Sequence, residues 1–178
     1  MPAKNKACSE TTAPDLCPKV NPYLIRTSMF TSALFAFLHF VAVFGIVGTI
    51  FFEWQTMSRT PTVAAAKRLQ LCDRWYGASA TMLLIVGFLR VFYFEKGSTF
   101  YMSNPLFHAK LGLFVLVGLL SIYPTVRFIK WGPQTRQGLA PVVSESEYQR
   151  IMTLLRLEVV LLLAAALCAS LMARGIGL

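Results

Sequence analysis

Charged side chains are scarce in this sequence, at 14% of 178 residues, while 56% are hydrophobic. That balance excludes a water-soluble domain of this size, whose single core cannot hide so much apolar surface. Acidic residues are scarcer still, eight against 17 Lys and Arg. The resulting formal charge of +9 does not mark a nucleic-acid binder, because the basic residues stand around the ends of apolar segments. That is the ordinary pattern for orientation in a bilayer and for headgroup contact. The first residues lack the apolar stretch of a signal peptide, and no apolar run precedes Cys8, so residues 1–23 read as a retained, poorly ordered polar tail. The four cysteines include no Cys-x-x-Cys and no zinc spacing, and the seven methionines lack the close repeats of a copper relay. Histidine occurs only twice, at His39 and His108.

What the chain has is apolar length. Four windows, 29–52, 76–94, 106–127 and 151–173, reach the roughly 20 residues a spanning helix needs. They predict an all-α, integral membrane four-helix up-down bundle over residues 24–178, with no soluble domain. Gly45 and Gly48 let another backbone approach the first helix, which ends at Glu53 and Trp54. Thr60 and Pro61 stand in the order of an N-cap and first helical residue. An amphipathic lead-in over 61–74 then turns into, or continues as, the second helix. Asn104 and Pro105 repeat that order for the third helix, Pro124 is placed to kink its end, and "WGPQTRQGLAP" reads as a loop. Ser144 and Glu147 have capping-box spacing ahead of the fourth helix.

Short connections make successive helices antiparallel and put both termini on one side. The 53–75 and 127–150 connections carry the denser positive charge, from Arg59, Lys67, Arg68, Arg74, Arg127, Lys130, Arg136 and Arg150. That side is expected to be cytoplasmic, with both termini on the periplasmic side of a bacterial-type inner membrane. Cys8 and Cys17 then face an oxidising compartment, where a disulfide and two free thiols are both compatible with the sequence. Trp54, Trp75, Tyr76, Tyr101 and Trp131 fall where interfacial aromatic belts lie.

Polar residues at membrane depth carry the functional reading. The first and third helices run in the same direction, so His39 and His108 lie toward the tail side of the bilayer. Ala36 and Ala42 flank the His39 meridian, and Gly112 follows His108 by one turn, leaving room for a planar ring. Arg90 and Lys110 sit toward the same side and suit the two carboxylates of a haem, while imidazole is a standard axial ligand of its iron. The expected site is therefore a haem between the first and third helices, with iron on His39 and His108. A plainer reading stands beside it, in which each histidine bonds a neighbouring helix or reaches headgroups and the two cations snorkel. At the opposite side, Glu53, Asp73, Arg74, Arg127, Arg156 and Glu158 make a second polar layer. It is expected to be structural, pairing Arg74 or Arg127 with Glu158 and Glu53 with Arg156. A proton-entry path is the competing reading.

The stretches "FAFLHFVAVFGIVGTIFFEW", "DRWYGASATMLLIVGFLR", "LFHAKLGLFVLVGLLSIY" and "RLEVVLLLAAALCASLMARGIGL" resemble a predicted inner-membrane family of unknown function, related to the HemJ-type protoporphyrinogen oxidases. That resemblance covers most of the chain from Phe35 onward. It implies haem b, a first-helix histidine ligand matching His39, and an activity-bearing lysine on the third helix, which "FHAKL" places at Lys110 beside His108. Arg74 and Tyr76 match a basic-x-Tyr element at the second helix. The proline that follows this element in HemJ-type chains is absent here, and "SIYPTVRF" stands where they often place another histidine.

The function these features imply is an integral membrane b-type haem protein with a redox role. It would oxidise a porphyrinogen or pass electrons to quinone or another membrane acceptor. The alternative is a non-catalytic accessory or structural subunit within a larger membrane complex or a homo-oligomer. A transporter module is the weakest reading, because no unwound Gly/Pro pairs stand at mid-membrane. The expected partners are membrane lipids, and no nucleic acid.

Overall fold

The apolar runs form helices that begin ahead of them. The computed structural model describes residues 22–94 and 104–175. Residues 1–21 of the expected tail, with Cys8 and Cys17, and the middle-loop residues Lys96 and Tyr101 lie outside that range, while Pro22 and Tyr23 already belong to the first helix. The helices are α1 (Pro22–Thr56), α2 (Val63–Leu89), α3 (Pro105–Lys130), α4 (Gly132–Arg136) and α5 (Glu145–Ala173), with a π-helical turn over Arg90–Phe94 closing α2. Among the described residues there is no strand. The four long helices are each long and apolar enough to cross a membrane. The protein is an all-α four-helix membrane bundle.

Local chemistry sets the helix starts. Thr62, in extended backbone, accepts a hydrogen bond on its side-chain oxygen from the Ala65 amide at 3.2 Å. This satisfies one of the orphan N–H groups of the first turn, so α2 begins two residues later than the Thr60–Pro61 order predicts. No break separates the lead-in from the membrane segment; they are one helix. Asn104 Oδ1 accepts from the Leu106 amide at 2.9 Å with Pro105 in the first turn, as expected. Ser144 Oγ accepts from the Glu147 amide at 3.2 Å and starts α5. Pro124 is buried inside α3, which continues past it to Lys130. The segment expected to be a loop contains the short helix α4, which ends before Gly138, a glycine at φ 76° where a side chain would be strained.

Packing follows antiparallel registers. From one end of α1 to the other, Thr49 O meets Cys72 Sγ at 3.5 Å, Gly45 meets Ser79, and His39 meets Gly87. A Cβ at Gly45 would stand 2.4 Å from Ser79 Oγ, so the approach of α1 to α2 needs glycine there. Arg127 of α3 bonds Glu147 of α5. The two hairpins, α1 with α2 and α3 with α5, join through α2 on α3 and α1 on α5. Among the described residues α1 and α3 are not neighbours; they stand across the diagonal.

The shared core sits near the 57–62 and 131–144 connections. It contains Ile46, Ile50 and Met57 of α1 and the turn after it, Ala66, Leu69 and Tyr76 of α2, Phe128 and Trp131, and Ile151 and Leu155 of α5. Phe37, Phe40, Phe44 and Phe51 form an outward stripe at helical spacing on α1, and Phe44 is 73% exposed. That is a cost in water and none in lipid. Trp54 and Trp75 are exposed, whereas Tyr76 and Trp131 are buried. Trp131 packs on Phe128 with ring centroids 5.1 Å apart, so it belongs to the core and not to the belt.

Candidate functional site

All four long helices send a polar side chain to one place. Glu53 comes from α1, Asp73 and Tyr76 from α2, Ser121 and Thr125 from α3, and Glu158 from α5. Glu53 is 3% exposed and Glu158 1%, and in each the Oε1 atom is buried with no hydrogen-bond partner. Half-buried Asp73 accepts from Thr125 Oγ1 at 2.6 Å. The three carboxyl groups are close enough to repel one another when charged. Tyr76, also buried, stands in the field of all three and beside Ser121. Cys72 donates its thiol to Thr49 O one turn away.

The expected ion-pair layer of Glu53, Arg74, Arg156 and Glu158 is assembled differently. The ion pairs among the described residues are Arg127 with Glu147 and Arg59 with Glu145, the second at 3.2 Å. Arg127 donates from Nε to Glu147 Oε1 at 2.7 Å and from Nη2 to Oε2, a bidentate grip. It faces the first turn of α5, whereas Glu158 lies eleven residues further along, roughly 16 Å by the helical rise. Arg156 is two residues from Glu158 and so about 200° around the helix. When Glu158 faces inward, Arg156 faces out, and both it and Arg74 are exposed. Two buried carboxyl groups are thereby left without a cation. Tyr76, Ser121 and Thr125 were not legible as members of this layer, although Asp73 and Tyr76 at i, i+3 and Ser121 and Thr125 at i, i+4 each share a helix face.

The histidines occupy the other end. His39 is half-buried with its Nδ1 enclosed, and its ring lies on Gly87: a Cβ there would stand 3.8 Å from Cε1 and 4.0 Å from Nδ1. His108 is exposed in the first turn of α3, edge-on to Phe107 at 5.7 Å. Arg90 opens the π-helical turn and is half-buried, as is Lys110. His39 and Arg90 therefore belong to the α1–α2 hairpin, and His108 and Lys110 to the other. Against the demands of a haem, His39 fits by burial and by the small residue under its ring. His108 shares that end of the bundle but is exposed and stands across the diagonal, on a helix that does not touch α1 among the described residues. No group of three or more His, Cys, Asp or Glu among the described residues is arranged to hold a bare metal ion.

Residues 31–177 match the model of a family described as "Predicted membrane protein (DUF2214)". The chain belongs to this family. The match runs from within α1 through α5 and so covers both polar ends. No curated protein and no solved structure matches the chain.

Proposed function

We propose that this protein is an integral membrane b-type haem protein with a redox role, set in a bacterial-type inner membrane with both termini on the periplasmic side. The observation that carries the reading is His39, an imidazole with its Nδ1 enclosed within a membrane span and seated on a glycine. Ionisable groups at such depth are costly and mark function by default. His39 and His108 would hold the iron, and Arg90 and Lys110 the haem carboxylates. A bound haem b supplies a one-electron couple at the membrane. Lys110 orients the reacting partner or the haem edge through its ammonium. In the HemJ-like version the substrate is a porphyrinogen, and quinone or another membrane acceptor takes the electrons.

A visible spectrum of the purified protein tests this directly. Haem bound between two imidazoles gives a low-spin spectrum with sharp bands on reduction. His39→Ala then abolishes or strongly weakens binding. His108→Ala leaves haem bound through one imidazole and newly able to bind carbon monoxide, and Lys110→Ala spares the spectrum and lowers turnover. Protein that stays colourless after expression with ample haem, and after adding haem, ends the proposal. The orientation is checked by a periplasm-active reporter fused to the C-terminus, which is expected to be active. The alternative of an accessory subunit rests on buried charges that fix helix register; Arg127 and Glu147 form such a pair, whereas Glu53 and Glu158 do not.

A further inference from the structure

We propose that Glu53, Asp73 and Glu158 form a proton-binding site that exchanges with the membrane face carrying the 57–62 and 131–144 connections. The inference does not rest on haem. Its first support is convergence, since each long helix contributes a polar group to one spot that apolar packing does not require. The second is the state of the two innermost carboxyls. Glu53 and Glu158 are more than nine-tenths buried, and each has an oxygen with no donor. An ionised carboxylate in such a place is far too costly to persist alone, so it must be neutralised by a cation or a proton.

Among the described residues no cation is paired with Glu53 or Glu158. Arg127 is held by Glu147 and Arg59 by Glu145, while Arg74 and Arg156 are exposed. The acidic groups do not gather into a metal-holding set. A proton is the neutralising species that fits. The groups facing the site are Glu53 from α1, Cys72, Asp73 and Tyr76 from α2, and Glu158 from α5, with Arg74 acting on Asp73 alone. From α3 come the hydroxyls of Thr125, which donates to Asp73, and of Ser121, which stands beside Tyr76 and donates to Gly118 O at 2.8 Å.

Exposure differs across the site. Asp73 is half-buried beside exposed Arg74 and Trp75, and Thr125 holds it in place. Glu53 and Glu158 are fully buried. Protons exchange with the site through Asp73, its most accessible acid, and the Glu53–Glu158 pair is the store.

Infrared difference spectroscopy of the full chain in lipid nanodiscs tests this. At neutral pH a protonated-carboxyl C=O band is expected above the amide I region, moving to lower frequency in deuterium oxide. Glu53→Gln and Glu158→Gln should each remove one component. Asp73→Asn should keep the band and slow its deuterium shift at least tenfold. Absence of the band in the wild-type protein overturns the proposal without the need for any variant to fold. So does a band unchanged in both Gln variants, or one lost when sodium or magnesium ions are added, which would assign the site to a cation. An unchanged deuterium rate in Asp73→Asn overturns exchange through Asp73. Because the measurement is made on the protein with or without colour, it fails independently of the haem proposal.

Discussion

The two ends of the bundle hold their polar groups in opposite ways. At the carboxyl end the hairpins close on each other: a hydrophobic core joins α1, α2 and α5 to the Phe128–Trp131 corner. Gln70 Nε2 donates to Phe128 O at 3.0 Å, and Arg127 locks α3 to α5. Buried polar groups there are enclosed by all four long helices. At the histidine end, His39 rests within one hairpin and His108 stands exposed on the other. In lipid there is little hydrophobic force between helices, so close approach and polar contacts decide where a bundle is tight. Among the described residues the Gly45–Ser79 approach and the Arg127–Glu147 pair both serve the carboxyl end. The comparison teaches that enclosure and ligand-type residues have been separated along the membrane normal, with acids in the tight half and imidazoles in the other.

The largest expected effect tests the lock of the tight end. Arg127→Ala leaves the Glu147 carboxylate, 6% exposed in its side chain, without its bidentate partner. The expected loss is about 2 to 3 kcal/mol, below a fully buried pair because the arginine side chain is 33% exposed. Thermal unfolding in detergent measures it. Adding Glu147→Gln should recover part of the loss, and Arg156→Ala, on an exposed arginine, should cost little. Equal losses from Arg127→Ala and Arg156→Ala would break the comparison at its strongest point.

Next comes the helix contact. At Gly45 an added Cβ would stand 3.1 Å from Ser79 Cβ as well as against its hydroxyl, so α1 and α2 must separate or Ser79 must turn. Gly45→Ala is expected to cost about 1 to 2 kcal/mol, and Ser79→Gly in the same chain to return most of it. Simple additivity of the two changes would show that the helices do not touch there.

Much of this fold was legible because membrane crossing depends on local sequence. Asn104–Pro105 and Ser144 with Glu147 placed two helix starts, and four apolar windows gave the bundle. The errors arose where a tertiary partner decides. Arg127 was read toward Glu158 because both were ionisable and deep, and no spacing rule says that the start of α5 reaches it first. Trp131 and Tyr76 were read as belt residues from composition, whereas packing on Phe128 and the polar cluster claimed them. The pairing of α1 with α2, which sets what the His39 ring meets, is also a tertiary fact. Glycine at position 87 had no periodic signal to give it away.

A smaller effect is expected where an ion-pair reading would demand a large one. Glu158→Gln keeps the shape of the side chain and removes its acidity. With no cation to lose, stability in detergent should change by less than about 1 kcal/mol, against the several expected for breaking a buried pair. A loss of that larger size would mean that Glu158 has a charged partner after all, and would undo the reading of it as a buried acid without a cation.

The smallest effect is expected at Gly87, and it is the sharpest probe of the looser end. A Cβ there meets His39 Cε1 at 3.8 Å, ordinary van der Waals contact, where the same atom at Gly45 collides. Alanine inside a helix is favoured over glycine by about 1 kcal/mol when nothing opposes it. Gly87→Ala should therefore leave stability unchanged or raise it slightly, although it lies on the same two helices as Gly45. The two alanine variants differ only in what stands across the gap, so their thermal midpoints, measured side by side, read the tightness of each end directly. Gly87→Leu extends the probe, because a larger side chain reaches into the imidazole and must turn it. That variant should move any His39-dependent haem spectrum while the Arg127–Glu147 lock keeps the bundle folded. If Gly87→Ala instead costs as much as Gly45→Ala, the histidine end is packed as closely as the carboxyl end.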